Sequence, residues 1–168
     1  MVVPDGEPAP RGRICFDVDD TLINWRLQAR PFAREVIAEL HRSGFEIHIW
    51  SGVGRRWDVI DRLDLRPFVS GCHTKPLYRH RERLAEHGIQ FVPDYVIDDY
   101  AEVVEAFGGW WIPPPAHPIE DDRRLLDVLY DIQRHFGLPQ GFRNSALALQ
   151  PYGASGDGRW LEARPAPT

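Results

Sequence analysis

Lysine is nearly missing from this chain: of its 20 basic residues, nineteen are arginine and one, Lys75, is lysine. Cysteine is scarce as well, with Cys15 and Cys72 alone among 168 residues, too few for a disulfide framework. No apolar run approaches the ~18 residues that a membrane-spanning helix requires. The opening stretch, MVVPDGEPAPRGR, holds no apolar signal core. These absences exclude a stapled secreted scaffold and an integral membrane protein, and they lead us to expect a soluble protein of a reducing cytoplasm. A surplus of positive charge is also lacking. The net charge of -5, from 25 acidic and 20 basic residues, speaks against a broad nucleic-acid-binding surface and leaves a local one open.

What is present suffices for one folded domain: 168 residues, 43% of them hydrophobic and 27% charged. Residues 1–12, rich in proline, read as a flexible leader, residues 13–137 as the domain, and residues 138–168 as a loosely structured or docked tail. Within the domain, apolar runs alternate with amphipathic stretches. Arg13–Val18 and Phe45–Trp50 read as buried strands. Between them Pro31–Ser43 places Phe32, Val36, Ile37 and Leu40 on one helical face, with Gly44 as its stop. Helices are predicted over Arg55–Leu63, Pro76–His87 (stopped by Gly88), Ala101–Phe107 and Glu120–Phe136, and further extended segments at Phe68–Cys72, Tyr95–Ile97 and Trp110–Ile112. Repeated strand-helix units predict an α/β protein with a parallel sheet covered on both faces.

In open parallel sheets, ligands bind at the carboxyl ends of the strands, and there this sequence gathers its reactive side chains. The first strand ends in Asp17, Asp19, Asp20 and Thr21, the second in Ser51 and Gly52, a later loop carries Lys75, and another strand ends in Asp98 and Asp99. Singly, each group reads as well as a turn, a loop or a helix cap. Together, five acidic residues at two strand ends repel one another unless a cation offsets them. The lone lysine, a compact point charge in a chain that otherwise uses the planar arginine fork, points to the same place.

The ordered set FDVDDTL, IWSG, Lys75 and VIDD, spread over residues 13–112, resembles the haloacid dehalogenase superfamily of phosphatases and phosphotransferases. Receiver domains of response regulators use similar residue types, but in a different order. The resemblance implies a Rossmann-like three-layer sandwich with a central parallel sheet. It also implies Asp17 as nucleophile and metal ligand, and Asp19 as general acid and base with its backbone carbonyl on the metal. Thr21 would orient the loop, Ser51 and the Gly52 backbone N–H would hold phosphate oxygens, and Lys75 would neutralise phosphate and nucleophile together. Asp98 and Asp99, one or both, would complete the metal shell. Oxygen ligands with little histidine or thiolate suit Mg²⁺. Asp19 favours hydrolysis of a phosphate monoester over dehalogenation, since a halide needs no proton. Transfer to an alcohol, or a non-catalytic phosphate-binding module, stays open.

From Asp17 to Ser51 is 34 residues and from Ser51 to Lys75 is 24, distances already used by helices, so no cap domain is expected. An open crevice fits a large phosphorylated substrate such as a nucleic-acid end or a phosphoprotein, unless the tail or a second subunit of a homo-oligomer covers it. Trp25, Arg26 and Arg30 after the first motif, and Arg55, Arg56 and Trp57 after the second, are candidate substrate contacts because bases stack on aromatics and phosphates attract guanidinium groups. For Trp57 a place in the core, and for Arg55 and Arg56 a solvated first turn, are equally good readings. His73, His80 and His87 recur every seven residues, yet no cysteine pair joins them and no metal is expected there.

Overall fold

Strands that carry apolar side chains on both faces must be covered on both. A computed structural model of the chain, which describes residue 6 and residues 8–143, shows what covers them. Among the described residues, five strands form one sheet: β1 (Arg13–Phe16), β2 (Glu46–Ser51), β3 (Gly71–Thr74), β4 (Tyr95–Asp98) and β5 (Gly109–Trp111). Their order is β3-β2-β1-β4-β5 and every neighbouring pair is parallel. Four α-helices flank the sheet: α1 (Ala33–Arg42), α2 (Trp57–Arg62), α3 (Ala101–Phe107) and α4 (Arg124–His135). No described helix is long and apolar enough to cross a membrane.

Side chains alternate across each strand and build two separate cores. Ile14 and Phe16 of β1, Ile47 and Ile49 of β2, and Tyr95 and Ile97 of β4 pack in the larger core with α1, α2 and α4. Cys15, Trp50 and Val96 point the other way and meet Val103 of α3 together with Leu84 and Ile89. Both cysteines are buried and free.

The helices follow the apolar periodicity, with ends set by local chemistry. In α1, Val36, Ile37 and Leu40 are fully buried, but the helix starts at Ala33 because Phe32 before it takes a left-handed conformation (φ 68°). In α4, Leu125, Leu126, Leu129 and Ile132 are buried as predicted. The expected start at Glu120 is wrong. Residues Ile119–Asp121 make one 3-10 turn, and Asp122 then redirects the chain, accepting from the backbone N–H of Arg124 at 3.0 Å and of Ala116 at 2.8 Å.

The helix expected over Pro76–His87 does not form; its residues are turns, with a short 3-10 segment at Ala85–His87. Helices in proteins are held mainly by a packed apolar face, and here only Pro76 and Leu84 are buried among charged neighbours, while Arg79 is left-handed (φ 47°). At the far end, residues 138–143 dock. Leu138 and Phe142 pack on the larger core, Gln133 and Gly141 exchange two hydrogen bonds of 2.8 Å, and the Arg143 N–H donates to buried Glu39 at 3.2 Å. The rest of the expected tail, residues 144–168, lies outside the described residues.

Candidate functional site

β1 and β4 are neighbours in the middle of the sheet, and the chain leaves them in opposite directions, toward β2 and toward β5. Diverging connections open a crevice between two carboxyl ends. Asp17 follows β1 there, Asp98 ends β4, Ser51 ends β2 and Lys75 follows β3.

The centre of the crevice is a buried charge cluster. The Asp17 N–H continues the sheet ladder onto the Ile97 carbonyl at 2.9 Å, which sets its 4% exposed carboxylate beside β4. Lys75, itself 5% exposed, donates from Nζ to Asp17 Oδ1 at 2.9 Å and to Asp98 Oδ2 at 2.7 Å. Its backbone N–H donates to the Ser51 carbonyl at 2.9 Å, so the lysine is anchored at both ends. Thr21 Oγ1 donates to Asp17 Oδ2 at 3.2 Å, and the Tyr100 N–H to Asp98 Oδ1 at 3.0 Å. Asp17, Asp98 and Asp99 each bring an oxygen within 4.8 Å of the others. Asp99 is fixed through its backbone, whose carbonyl accepts from Trp111 Nε1 at 2.8 Å, while its buried Oδ1 has no partner.

Three carboxylates, two buried and Asp99 half-buried, and one buried ammonium leave negative charge in a largely dry place. Burial pushes Asp17 up against the opposing pull of Lys75. Burial and then the Asp17 charge raise Asp98 to about 7 and Asp99 to about 6. Burial pulls Lys75 down, yet Asp17 and Asp98 outweigh it and hold the ammonium above its ordinary range. The cluster is short of positive charge.

Asp19 stands apart from the three-carboxylate group and is solvent-exposed. Arg56 Nη1 donates to both of its oxygens at 2.9 and 2.8 Å while Arg56 Nε donates to Asp58 at 3.1 Å. Ser51 Oγ reaches Asp19 at 3.4 Å and accepts from the Val53 N–H at 3.3 Å. Beside it, Leu77 closes on Gly52, where an added Cβ would lie 2.5 Å from Leu77 Cδ2.

Of the candidate substrate contacts, Arg56 alone bonds a residue of this group. Trp25 and Arg26 sit exposed in a loop closed by Asn24, whose Oδ1 accepts from the N–H groups of Arg26 and Gln28. Arg55 is exposed. Arg30 is 1% exposed and bonds the Pro113 carbonyl at 2.6 Å beside Asp122, so it ties the loop to the body of the fold and is no substrate contact. Trp57 packs against the larger core under Arg66. His73 lies on β3, its Nε2 3.0 Å from His48 Nδ1, and His80 bonds the Pro76 carbonyl. Two neighbours escape a sequence reading: the tie from Arg56 to Asp19, and Tyr100, whose ring lies 5.7 Å from Lys75 Nζ. The place of Tyr100 directly after Asp98 and Asp99 is the one signal for it. The chain matches no protein-family model and no curated protein, so its own residues carry the reading of this site.

Proposed function

We propose that this chain is a Mg²⁺-dependent phosphomonoesterase acting through an aspartyl-phosphate, a capless member of the haloacid dehalogenase superfamily with a Rossmann-like sandwich. The observation that carries the reading is the cluster of buried Lys75, Asp17 and Asp98 with half-buried Asp99 at the point where the sheet connections diverge. The strand order is that of the first five strands of the dinucleotide-binding sheet.

The donor set suits a divalent cation: three carboxylate oxygens, one of them on a buried and unpartnered atom, with a single lysine as counter-charge. All-oxygen ligation favours Mg²⁺. Asp17, Asp98 and Asp99 would hold it, and bound there it would offset the repulsion between an anionic nucleophile and an anionic phosphate.

The chain's own residues do the rest. An Asp17 oxygen attacks phosphorus as the ester P–O bond breaks, and the leaving oxygen takes a proton from Asp19. Water, giving its proton back to Asp19, then attacks the aspartyl-phosphate and releases inorganic phosphate and the free carboxylate. The sum is ester plus water giving alcohol plus phosphate. Lys75 stabilises the charge on Asp17 and the phosphoryl oxygens, Thr21 fixes the second Asp17 oxygen, and Ser51 and Gly52 offer donors to the transferred group. The free, buried cysteines fit a reducing cytoplasm.

Phosphate release from p-nitrophenyl phosphate with and without Mg²⁺ tests this. Turnover is expected to need the metal and to fall by about 10³-fold or more in Asp17→Asn, with the fold retained. Folded, metal-loaded protein that turns over neither this ester nor a panel of nucleotides, sugar phosphates and phosphopeptides would overturn it in favour of a phosphate-binding module.

A further inference from the structure

Among the described residues eight large apolar side chains are exposed; six lie on segments leaving the carboxyl edge of the sheet, Trp111 ends β5 at that edge, and Val92 lies elsewhere. Aromatic rings come from separate loops: Trp25 after β1, Tyr78 after β3, Tyr100 after β4. Two of them carry an arginine, Arg26 at 4.6 Å from the Trp25 ring and Arg83 at 4.2 Å from that of Tyr78, and Tyr100 stands beside Lys75.

Three segments at this edge are rich in arginine, although Asp19, Asp58 and Asp99 lie beside them. Residues 24–30, 52–56 and 76–83 contain one acid, Glu82, although acids outnumber bases in the chain as a whole. Arg26, Arg55 and Arg79 on these segments are exposed and form no ion pair with a described residue, while exposed Arg81 lies 5.6 Å over the Phe107 ring of α3. Cationic groups interleaved with open aromatic faces suit a ligand that alternates anions with planar rings. A phosphopeptide brings one phosphate and no regular alternation of anions with planar rings. A strand of nucleotides brings both.

We propose that the phosphate ester taken by this site is the terminal phosphate of a single-stranded nucleic acid, its bases stacking on the rim aromatics and its phosphodiesters meeting the unpaired rim arginines. The inference rests on the phosphatase reading above and names its substrate class.

Two measurements on the full chain separate the two ideas. The first is fluorescence anisotropy of a fluorescein-labelled single-stranded oligonucleotide with a terminal phosphate, in EDTA. Binding is expected to weaken with salt, with a log-log slope of about -0.7 per phosphate contacted, and to weaken about tenfold in Arg55→Gln/Arg79→Gln and in Trp25→Ala. The second is the ratio of kcat/KM for 3′- or 5′-phosphorylated oligonucleotides to that for p-nitrophenyl phosphate in Mg²⁺, which is expected to fall about tenfold in the same variants. Metal-dependent turnover of p-nitrophenyl phosphate without oligonucleotide binding, a ratio the variants leave alone, or a preference for phosphopeptides would overturn the inference and spare the phosphatase. Binding without turnover of any ester would overturn the phosphatase reading and with it the strand as substrate.

Discussion

Lys75 sits between two carboxylates that cannot both stay charged without it. Breaking a buried ion pair by removing one partner costs about 3–5 kcal/mol, so Lys75→Met is expected to lower stability by about 3 kcal/mol in urea titration. Adding Asp98→Asn, which removes one stranded charge, is expected to recover part of that loss. Lys75→Arg is expected not to restore activity, since a planar fork does not replace a compact ammonium. The same cluster sets a pH dependence. Asp98 is held up to about 7 against an ordinary value of 3.8, so between these values the folded state binds more protons than the unfolded one. Its contribution to stability therefore falls as pH rises through that window, and Asp99, held up to about 6, acts in the same sense. A divalent cation takes the ionised carboxylates and removes the penalty. The Mg²⁺-induced rise in Tm is thus expected to be larger at about pH 8 than at about pH 5.5, and a rise that does not grow with pH would argue against these ligands. Much of this residue chemistry is legible in the sequence, because a sole lysine among arginines and two acidic strand ends are visible without a fold. The burial of Arg30 is not, since a cation four residues past an exposed Arg26 looks no different until Asp122 is brought beneath it.

Among the elements, β5 is the most tightly constrained for its size. It begins at Gly109, where φ is 146° and an added Cβ would lie 2.0 Å from the Val96 carbonyl oxygen of β4. No side chain fits there without moving the strands apart. Gly109→Ala is expected to cost about 3 kcal/mol in chemical denaturation. It is also expected to weaken Mg²⁺ binding, because Trp111 of the same strand holds the Asp99 backbone. The strands at β1, β2 and β4 are legible in their apolar runs, and α1 and α4 in their helical periodicity. The stretch after Lys75 is not: its residues have helical propensity and a glycine stop, but a helix needs a face to bury, and only a structure shows that Leu84 is the one residue after Pro76 in this stretch to be buried. Propensity and burial disagree there, and burial decides.

At the scale of the whole molecule, strand-helix alternation makes a parallel sheet readable in advance, while the order that places Asp17 next to Asp98 is shown only by the structure. Where the fold ends is less readable, because Leu138 and Phe142 are single apolar residues among glycine and proline. A chain ending at residue 137 is expected to be about 2 kcal/mol less stable than one ending at residue 143, from the lost apolar contacts and from the hydrogen bonds to Gln133 and Glu39. Hydrogen exchange gives the same layout a time dimension. The proposed cation would be gripped by one strand on each side of the β1–β4 seam, so the seam cannot part while the ion stays. Chelation is expected to speed exchange at the amide of Asp17, which bonds across the seam to Ile97, and to leave the pairing of β2 with β3 nearly as slow as before. A site built across the middle of a sheet is thus also its clasp, and the loss of a small ion would be felt first at the centre of the fold, ahead of its edges.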